Sequence, residues 1–121
     1  MKIYVSHSRS YDFKNELYLP IRNSPLNSKH KILLPHEESN KPFNSRKYLR
    51  TCDLVIAEVS YPSTGQGMEL GWANLYEIPT ICIFKEGHKP SSSLKIITDK
   101  FCEYKDPKDM IEELEKIISR L

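Results

Sequence analysis

The sequence predicts an α/β protein with one doubly wound, five-stranded parallel sheet in the order 2-1-3-4-5. Five short apolar runs alternate with stretches of helical pattern, which is typical of repeated strand–helix units. The run Leu54–Ala57 is continuously apolar rather than alternating, as in a central strand covered on both faces. Because 121 residues is the length of one ordinary domain, we expect residues 1–121 to form a single Rossmann-like domain.

The first elements follow from apolar runs and local capping signals. Ile3–Val5 is predicted as the first strand. Ser10 is a candidate cap for a helix over Tyr11–Leu19, which Pro20 is expected to stop. The Ser/Pro/Asn-rich stretch Asn23–Lys29 is predicted to be a polar loop.

Two further strands and a short helix make up the middle of the chain. Lys31–Leu34 is predicted as strand two, and Asp53–Val59 as strand three. Between them, Asn44 or Ser45 is a candidate cap for a short helix that reaches about Cys52.

The last third of the chain repeats the pattern of strand and helix. A helix is predicted over Gly67–Glu77, strand four over Thr80–Phe84, one helical turn over Ser93–Ile97 and strand five over Phe101–Tyr104. A final helix is predicted to begin after an Asp-Pro capping pair. Its apolar stripe has helical spacing: Met110, Leu114, Ile117 and Leu121.

Composition and charge argue against several classes of function. Lys and Arg number 18 against 16 Asp and Glu, so the net charge of +2 predicts neither a nucleic-acid nor a membrane partner. No apolar run approaches the ~20 residues that span a bilayer, and the polar N-terminal region is unlike a signal peptide, so we expect a cytoplasmic protein. Three cysteines without a CxxC motif and four histidines without ligand spacing predict no disulfide framework and no metal.

Ligands of such sheets bind beyond the carboxyl ends of the strands, where strands one and three diverge. The loops at that switch point are predicted to be Ser6–Ser10 and Ser60–Gly67. Three of the four glycines, Gly65, Gly67 and Gly71, lie in or just after the second loop. They indicate either a backbone that turns tightly or approaches a phosphate or sugar, or glycines required only for packing.

Glu69 is predicted in the first turn of the helix that follows this loop. The pattern leaves two interpretations nearly even. The carboxylate either stabilises the positive end of the helix dipole, or it is held at the ligand as a nucleophile or oxocarbenium stabiliser in glycosyl transfer.

The run from Asp53 to Gly71, DLVIAEVSYPSTGQGMELG, resembles the signature of the nucleoside 2-deoxyribosyltransferase superfamily. It is most similar to the branch of 2′-deoxynucleoside 5′-monophosphate N-glycosidases. The resemblance implies a flavodoxin-like homodimer that cleaves or transfers the N-glycosidic bond of a nucleoside monophosphate and needs no cofactor.

The resemblance also implies roles for individual residues. Glu69 matches the carboxylate that attacks C1′, and Tyr4 matches the tyrosine that orients it. Ser63 and the backbone of Gly65 and Gly67 match the cradle of the 5′-phosphate.

Three further matches lie outside the central signature. Ser8 and Arg9 match the loop that faces the phosphate, and Ser93 matches a serine donated to the phosphate by the neighbouring subunit.

Position 63 favours a nucleotide over a nucleoside. The nucleoside transferases of the resembled superfamily typically have an aspartate here, which accepts a hydrogen bond from a free 5′-hydroxyl. A carboxylate would repel a phosphate, whereas the hydroxyl of Ser63 can donate to a phosphate oxygen.

Position 45 departs from the resembled superfamily, whose enzymes have an acidic residue there that assists departure of the base. Ser45 is a poor general acid at neutral pH. Either another side chain supplies the proton, or the activity is weak, altered or absent. The candidates for the proton donor are His36, Glu37, Glu38 and His7.

Two other functions remain open from the sequence. The serine at position 45 is compatible with a non-catalytic nucleotide-binding module on the same fold. Val5–Ser8 is similar to the opening strand and loop of NAD-cleaving domains of the Toll/interleukin-receptor type, although the run Gly65–Gly71 fits those domains poorly.

Overall fold

The computed structural model describes residues 1–121 and contains a five-stranded parallel sheet in the order β2-β1-β3-β4-β5. The predicted fold class and strand order are therefore confirmed. The strands are β1 (Lys2–His7), β2 (Lys31–Leu33), β3 (Leu54–Glu58), β4 (Thr80–Lys85) and β5 (Phe101–Tyr104).

The helices cover both faces of this sheet. They are α1 (Leu19–Arg22), α2 (Pro25–Lys29), α3 (Ser45–Leu49), α4 (Thr64–Leu75) and α5 (Pro107–Ser119), with a π-helical segment at Lys14–Tyr18 and a 3-10 helix at Ser92–Ile96. None of these helices has the length and apolarity that a membrane crossing requires.

Alternate residues of the strands pack into two separate hydrophobic cores, one on each face of the sheet. On one face, Ile3 and Val5 of β1 pack among apolar side chains from α1 and α5. On the other face, Tyr4 of β1 and Val55 of β3 pack against α3 and α4. Because side chains alternate along a strand, β1 sends Tyr4 and Ser6 to the α4 side, and this side carries the site described below.

The first helical region differs from the prediction at both ends. It begins at Lys14, without a cap from Ser10, and continues past Pro20 to Arg22. The wider π-helical turn before the proline explains the continuation: the amide of Leu19 bonds to the carbonyl of Lys14, five residues back. This spacing relieves the clash that proline makes with the preceding turn of an α-helix.

The prediction of a polar loop over Asn23–Lys29 is wrong, because Pro25–Lys29 forms α2. Proline at the first helical position has the backbone angle that a helix requires and lacks an amide that would in any case be unpaired. The buried side chain of Leu26 anchors this short helix to the core.

Helix α4 begins at Thr64 rather than at Gly67. The side chain of Ser63 caps it by accepting a hydrogen bond from the amide of Gln66. Glu69 consequently lies in the second turn of the helix and not in the first, so the prediction of its position was wrong by about one turn.

Two smaller differences concern the ends of the chain. Strand β1 extends beyond Val5 to His7, so it carries two polar residues at its carboxyl end. In α5, Ile118 is buried with Met110 and Leu114, whereas Leu121 follows the end of the helix and is exposed.

Candidate active site

A cleft of about 340 Å³ opens at the carboxyl ends of β1 and β3, at the predicted switch point. Its walls come from the β1 end, the β2–α3 connection and the first three turns of α4. The lining residues are His7, Arg9, His36, Pro42, Phe43, Ser45, Ser63, Gly65, Gln66, Met68, Glu69 and Trp72.

The Glu69 carboxylate lines this cleft, and two side chains of β1 hold it. The Tyr4 hydroxyl donates to Oε2 at 2.5 Å, and the Ser6 hydroxyl donates to Oε1 at 2.8 Å. Both donors are fully buried, while Glu69 itself is half-buried. The carboxylate is therefore fixed from the protein side and still faces the cleft.

Tyr4 remains a hydrogen-bond donor at every relevant pH. Burial raises the pKa of its phenol well above the usual range, and the negative charge of Glu69 raises it further. The Ser45 hydroxyl is close enough to the phenol to act on that pKa in the opposite direction. The structure thus brings Ser45 into the cleft beside the Tyr4–Glu69 pair.

A second glutamate, Glu58 at the end of β3, is buried and lies outside the cleft. It accepts from the amide of Ser60 at 2.7 Å, from the Ser60 hydroxyl at 2.9 Å and from the Tyr104 hydroxyl. Glu58 is 0% exposed, so no ligand reaches it. Of these two glutamates, only Glu69 combines fixed geometry with access.

The first turn of α4 lines one end of the cleft at Ser63 and Gly65. The amide of Gly67 makes the first regular helical bond, to the Ser63 carbonyl, so the amides of Thr64 and Gly65 precede the helical ladder. The interpretation that Gly65 and Gly67 form a tight turn is wrong, since both residues are helical. Gly87 is the one glycine with a positive φ. A Cβ built on Gly65 would meet nothing within 4 Å, which leaves the helix end open to a ligand.

Of the two predicted residues on the facing loop, the cleft includes one. Arg9 is exposed, lines the cleft and takes part in none of the three salt bridges of the chain. Ser8 is buried outside the lining, and its hydroxyl pairs with that of Ser10 at 2.8 Å. Arg9 therefore supplies positive charge at the cleft, whereas Ser8 shapes the loop.

Ser93 and Gly67 are not brought into the cleft with Glu69. Within this chain they line a neighbouring depression of about 220 Å³, together with Ser63 and Ser91. Ser63 belongs to both hollows, so the two meet at the start of α4.

His7 lines the cleft, but both of its ring nitrogens are used. Nδ1 lies 2.8 Å from the Ser8 carbonyl and therefore carries the hydrogen, which leaves Nε2 to accept from the Tyr18 hydroxyl at 2.6 Å. Burial lowers the pKa of this imidazole to about 4. His7 is thus a neutral structural residue at physiological pH.

Sequence reasoning missed Ser6 and Gln66. The spacing of Ser6, two residues after Tyr4 on the same strand face, was a usable signal. Gln66 offered none: its side-chain amide donates to the carbonyls of Ser6 and Glu58 at 3.2 and 2.8 Å, a contact that exists only after folding. No cluster of three or more His, Cys, Asp or Glu side chains has the arrangement of a metal site.

Solved structures of similar fold include an N-glycosidase and a deoxyribosyltransferase. A CMP N-glycosidase from Clostridium botulinum, BcmB, aligns with a TM-score of 0.69 and 18% identity over 95% of this chain and 99% of its own. A 2-deoxyribosyltransferase from Bacillus psychrosaccharolyticus aligns with a TM-score of 0.58 and 18% identity over 91% and 90% of the two chains.

A conserved protein from Enterococcus faecalis V583 has a TM-score of 0.69 and 14% identity over 97% of this chain and 98% of its own. No protein-family model matches the sequence, and no curated protein matches it. These alignments show that the chain shares the fold of a CMP N-glycosidase and of a 2-deoxyribosyltransferase, as the resemblance in the sequence implied.

Acidification should destabilise the protein through His7. Its folded pKa of about 4 lies below the ordinary value of 6.5, so the unfolded chain binds the proton first and stability is lost as the pH falls from 6.5 towards 4. We expect this group to remove about 2 kcal/mol of unfolding free energy between pH 7.5 and pH 5.

Urea denaturation across that pH range measures the effect, with His7→Asn as the comparison. The variant lacks the titrating ring and should show a flatter profile, although it is less stable at pH 7.5. Parallel profiles for the two proteins would contradict the assignment.

Proposed function

We propose that this chain is an enzyme that cleaves the N-glycosidic bond of a nucleoside 5′-monophosphate, by hydrolysis or by base exchange, with Glu69 as the nucleophile. The observation that carries the proposal is the double hydrogen bond from Tyr4 and Ser6 to a carboxylate that faces the cleft. A carboxylate that served only the helix dipole would not need two buried donors from another element, and it would lie in the first turn.

The chemistry uses the carboxylate twice. An oxygen of Glu69 forms a bond to C1′ while the bond from C1′ to the base nitrogen breaks, and the electron pair leaves with the base. Water, or a second base, then attacks C1′ and releases the carboxylate. Tyr4 and Ser6 hold the carboxylate in one orientation during both steps, which lowers the entropic part of the barrier.

The end of α4 is the expected place for the phosphate. The free amides of Thr64 and Gly65, the Ser63 hydroxyl and the Arg9 guanidinium all favour an anion. Ser63 lies about 9 Å from Glu69 along the helix axis, since each residue adds about 1.5 Å. That separation leaves room for the sugar between a phosphate at the helix start and a nucleophile in the second turn.

The base is expected against the apolar wall of the cleft. Phe43, Met68 and Trp72 line this wall and offer flat or flexible surfaces to a planar ring. The Arg46 guanidinium lies 6.0 Å from the centre of the Trp72 ring and supports it from α3.

The proposal includes a homodimer. Met68 and Leu75 are 53% and 74% exposed, and Trp72 lies between them at helical spacing on the same side of α4. Tyr48 of the neighbouring α3 is 41% exposed. A second copy packed on this surface would cover these side chains beside the cleft.

A non-catalytic nucleotide-binding module is the second candidate, and Ser45 is the observation that favours it. The serine lies in the cleft at the position where the resembled enzymes have an acid. This candidate predicts binding of nucleotides without release of any base.

Glu69→Gln should abolish turnover and preserve nucleotide binding. The amide has the shape of the carboxylate but is not an anionic nucleophile, so we expect a loss of several powers of ten, with ~1.4 kcal/mol for each factor of ten. Chromatography of a nucleotide panel that includes NAD measures the released base.

Added nucleotide should still raise the melting temperature of Glu69→Gln, because the variant keeps the phosphate site. Cleavage by this variant at the wild-type rate would rule out the nucleophile assignment. Binding without cleavage by the wild type would instead support the non-catalytic module, and cleavage of NAD alone would support an NAD-cleaving domain.

Nucleoside 5′-monophosphates should bind at least tenfold more tightly than the matching nucleosides. Charge-assisted hydrogen bonds contribute ~1.5–3 kcal/mol each at best. Gly65→Ala should reduce the preference, because the new methyl group points back towards the helix start and intrudes on the phosphate.

Gly71→Ala is the matched control for Gly65→Ala. It lies on the same helix, outside the cleft lining, and its Cβ also meets nothing within 4 Å. Titration calorimetry should show the loss of affinity only for Gly65→Ala. Equal affinities of wild type for nucleotide and nucleoside would remove the phosphate assignment.

Light scattering should show twice the mass of the chain at the concentrations used for activity assays. Leu75→Glu should shift the protein towards the monomer, since it places a charge in the most exposed part of the apolar stripe. An active wild-type protein that is monomeric at these concentrations would contradict the homodimer.

A further inference from the structure

Glu69 is the one carboxylic acid among the residues that line the cleft, and the proposed function uses it as the nucleophile. Ser45, also in the lining, stands at the position where the resembled enzymes have a second acid. A purine or pyrimidine departs poorly as an anion, and a positioned general acid contributes typically 10²–10⁴-fold to such a step. In the proposed function, another titratable side chain of the cleft therefore has to protonate the leaving base.

His7 does not meet this requirement. Both of its ring nitrogens are engaged inside the protein, with the Ser8 carbonyl and with the Tyr18 hydroxyl. Burial lowers the pKa of the ring to about 4, so it carries no extra proton at neutral pH.

The two glutamates of the same connection are also excluded. Glu37 forms a bidentate ion pair with Arg22, at 2.7 and 2.9 Å, and does not line the cleft. That ion pair lowers the pKa of the Glu37 carboxyl, so it is no proton donor at neutral pH. Glu38 is exposed and lies outside the cleft lining.

His36 meets the geometric requirements for a proton donor in the cleft, which His7, Glu37 and Glu38 do not meet. It lines the cleft together with Glu69 and is half-buried. Its backbone amide donates to the Tyr18 hydroxyl at 2.9 Å, and its ring stands edge-on to His7 at 5.9 Å. Nδ1 lies 3.3 Å from the Ser39 carbonyl and therefore carries a hydrogen, so Nε2 remains for the ligand.

We infer that His36 is the general acid for departure of the base, in place of the acid absent at Ser45. The inference rests on the proposed function. As Glu69 bonds to C1′ and the bond from C1′ to the base breaks, the electron pair passes to the base nitrogen and the Nε2 proton of the His36 imidazolium moves to the base. In the second step the neutral ring takes a proton from the attacking water, which restores both groups.

Other charged and titratable side chains share the cleft with His36. Arg9 and His7 line the cleft from the end of β1, and Glu69 lines it from α4.

The test compares two leaving groups on the same sugar phosphate. One substrate is the nucleotide that the wild type cleaves, and the other is the 4-nitrophenyl glycoside 5-phosphate of the same sugar. Nitrophenolate departs unprotonated at neutral pH, so it does not need the acid. We expect His36→Gln to slow nucleotide cleavage at least 100-fold and nitrophenyl release less than about threefold.

His88→Gln is the matched control. His88 also has Nδ1 3.3 Å from a carbonyl, that of Ser60, but it lies away from the cleft. This variant should cleave both substrates at the wild-type rate. Melting temperature and nucleotide affinity of His36→Gln should remain close to wild type, which separates loss of the acid from loss of the fold.

The outcomes distinguish a failure of the role of His36 from a failure of the proposed function. Equal losses on both substrates, or no loss on the nucleotide, would overturn the role of His36 and leave Glu69 as nucleophile intact. Glu69→Gln should lose activity on both substrates. A wild-type protein that cleaves neither substrate would overturn the proposed function and the role of His36 with it.

Discussion

The contact between α4 and the ends of β1 and β3 determines the geometry of the cleft. Gln66 donates to one carbonyl of each strand, and one turn later Glu69 accepts from Tyr4 and Ser6 of β1. These bonds fix both the rotation and the height of α4 on the sheet. Because the helix start and the carboxylate belong to one rigid element, their separation is fixed as well.

Two serines that line the cleft stand at positions where the resembled enzymes have carboxylates. At position 63 a hydroxyl replaces the carboxylate that a nucleoside transferase would use, which makes the helix start suitable for a phosphate. At position 45 a hydroxyl stands where the resembled enzymes have an acid, so the proposed reaction needs another proton donor. In the proposed function, the serine at position 63 bears on which substrate binds, and the serine at position 45 bears on which side chain protonates the base.

The opposite face of the sheet shows why a glutamate alone is a weak indicator. Glu58 and Glu69 both accept hydrogen bonds from tyrosine and serine side chains. Glu58 is enclosed and ties the end of β3 to β5, whereas Glu69 is open to the cleft on one side. Access to a ligand, and not the number of hydrogen bonds, distinguishes Glu69, the proposed nucleophile, from the enclosed Glu58.

The sequence by itself determined the strand order and the switch point at which a cleft was expected. Apolar runs and their spacing report burial, and parallel strands joined by helices admit few topologies, so the switch point was predictable. The pairing of Tyr4 with Glu69 was implied only by the family resemblance, since an apolar pattern does not distinguish this tyrosine from an ordinary strand aromatic. The π-helical turn before Pro20 and the start of α4 at Thr64 were not, because local propensities of the same residues also allow a break or a loop.

Only the tertiary structure decided among the candidate proton donors. The sequence does not distinguish His7, His36, Glu37 and Glu38, since each comes soon after the end of a predicted strand. Their differences arise from partners far along the chain: Tyr18 sequesters His7, and Arg22 pairs with Glu37. Burial and long-range partners set which group can exchange a proton with a ligand, and neither is encoded in local spacing.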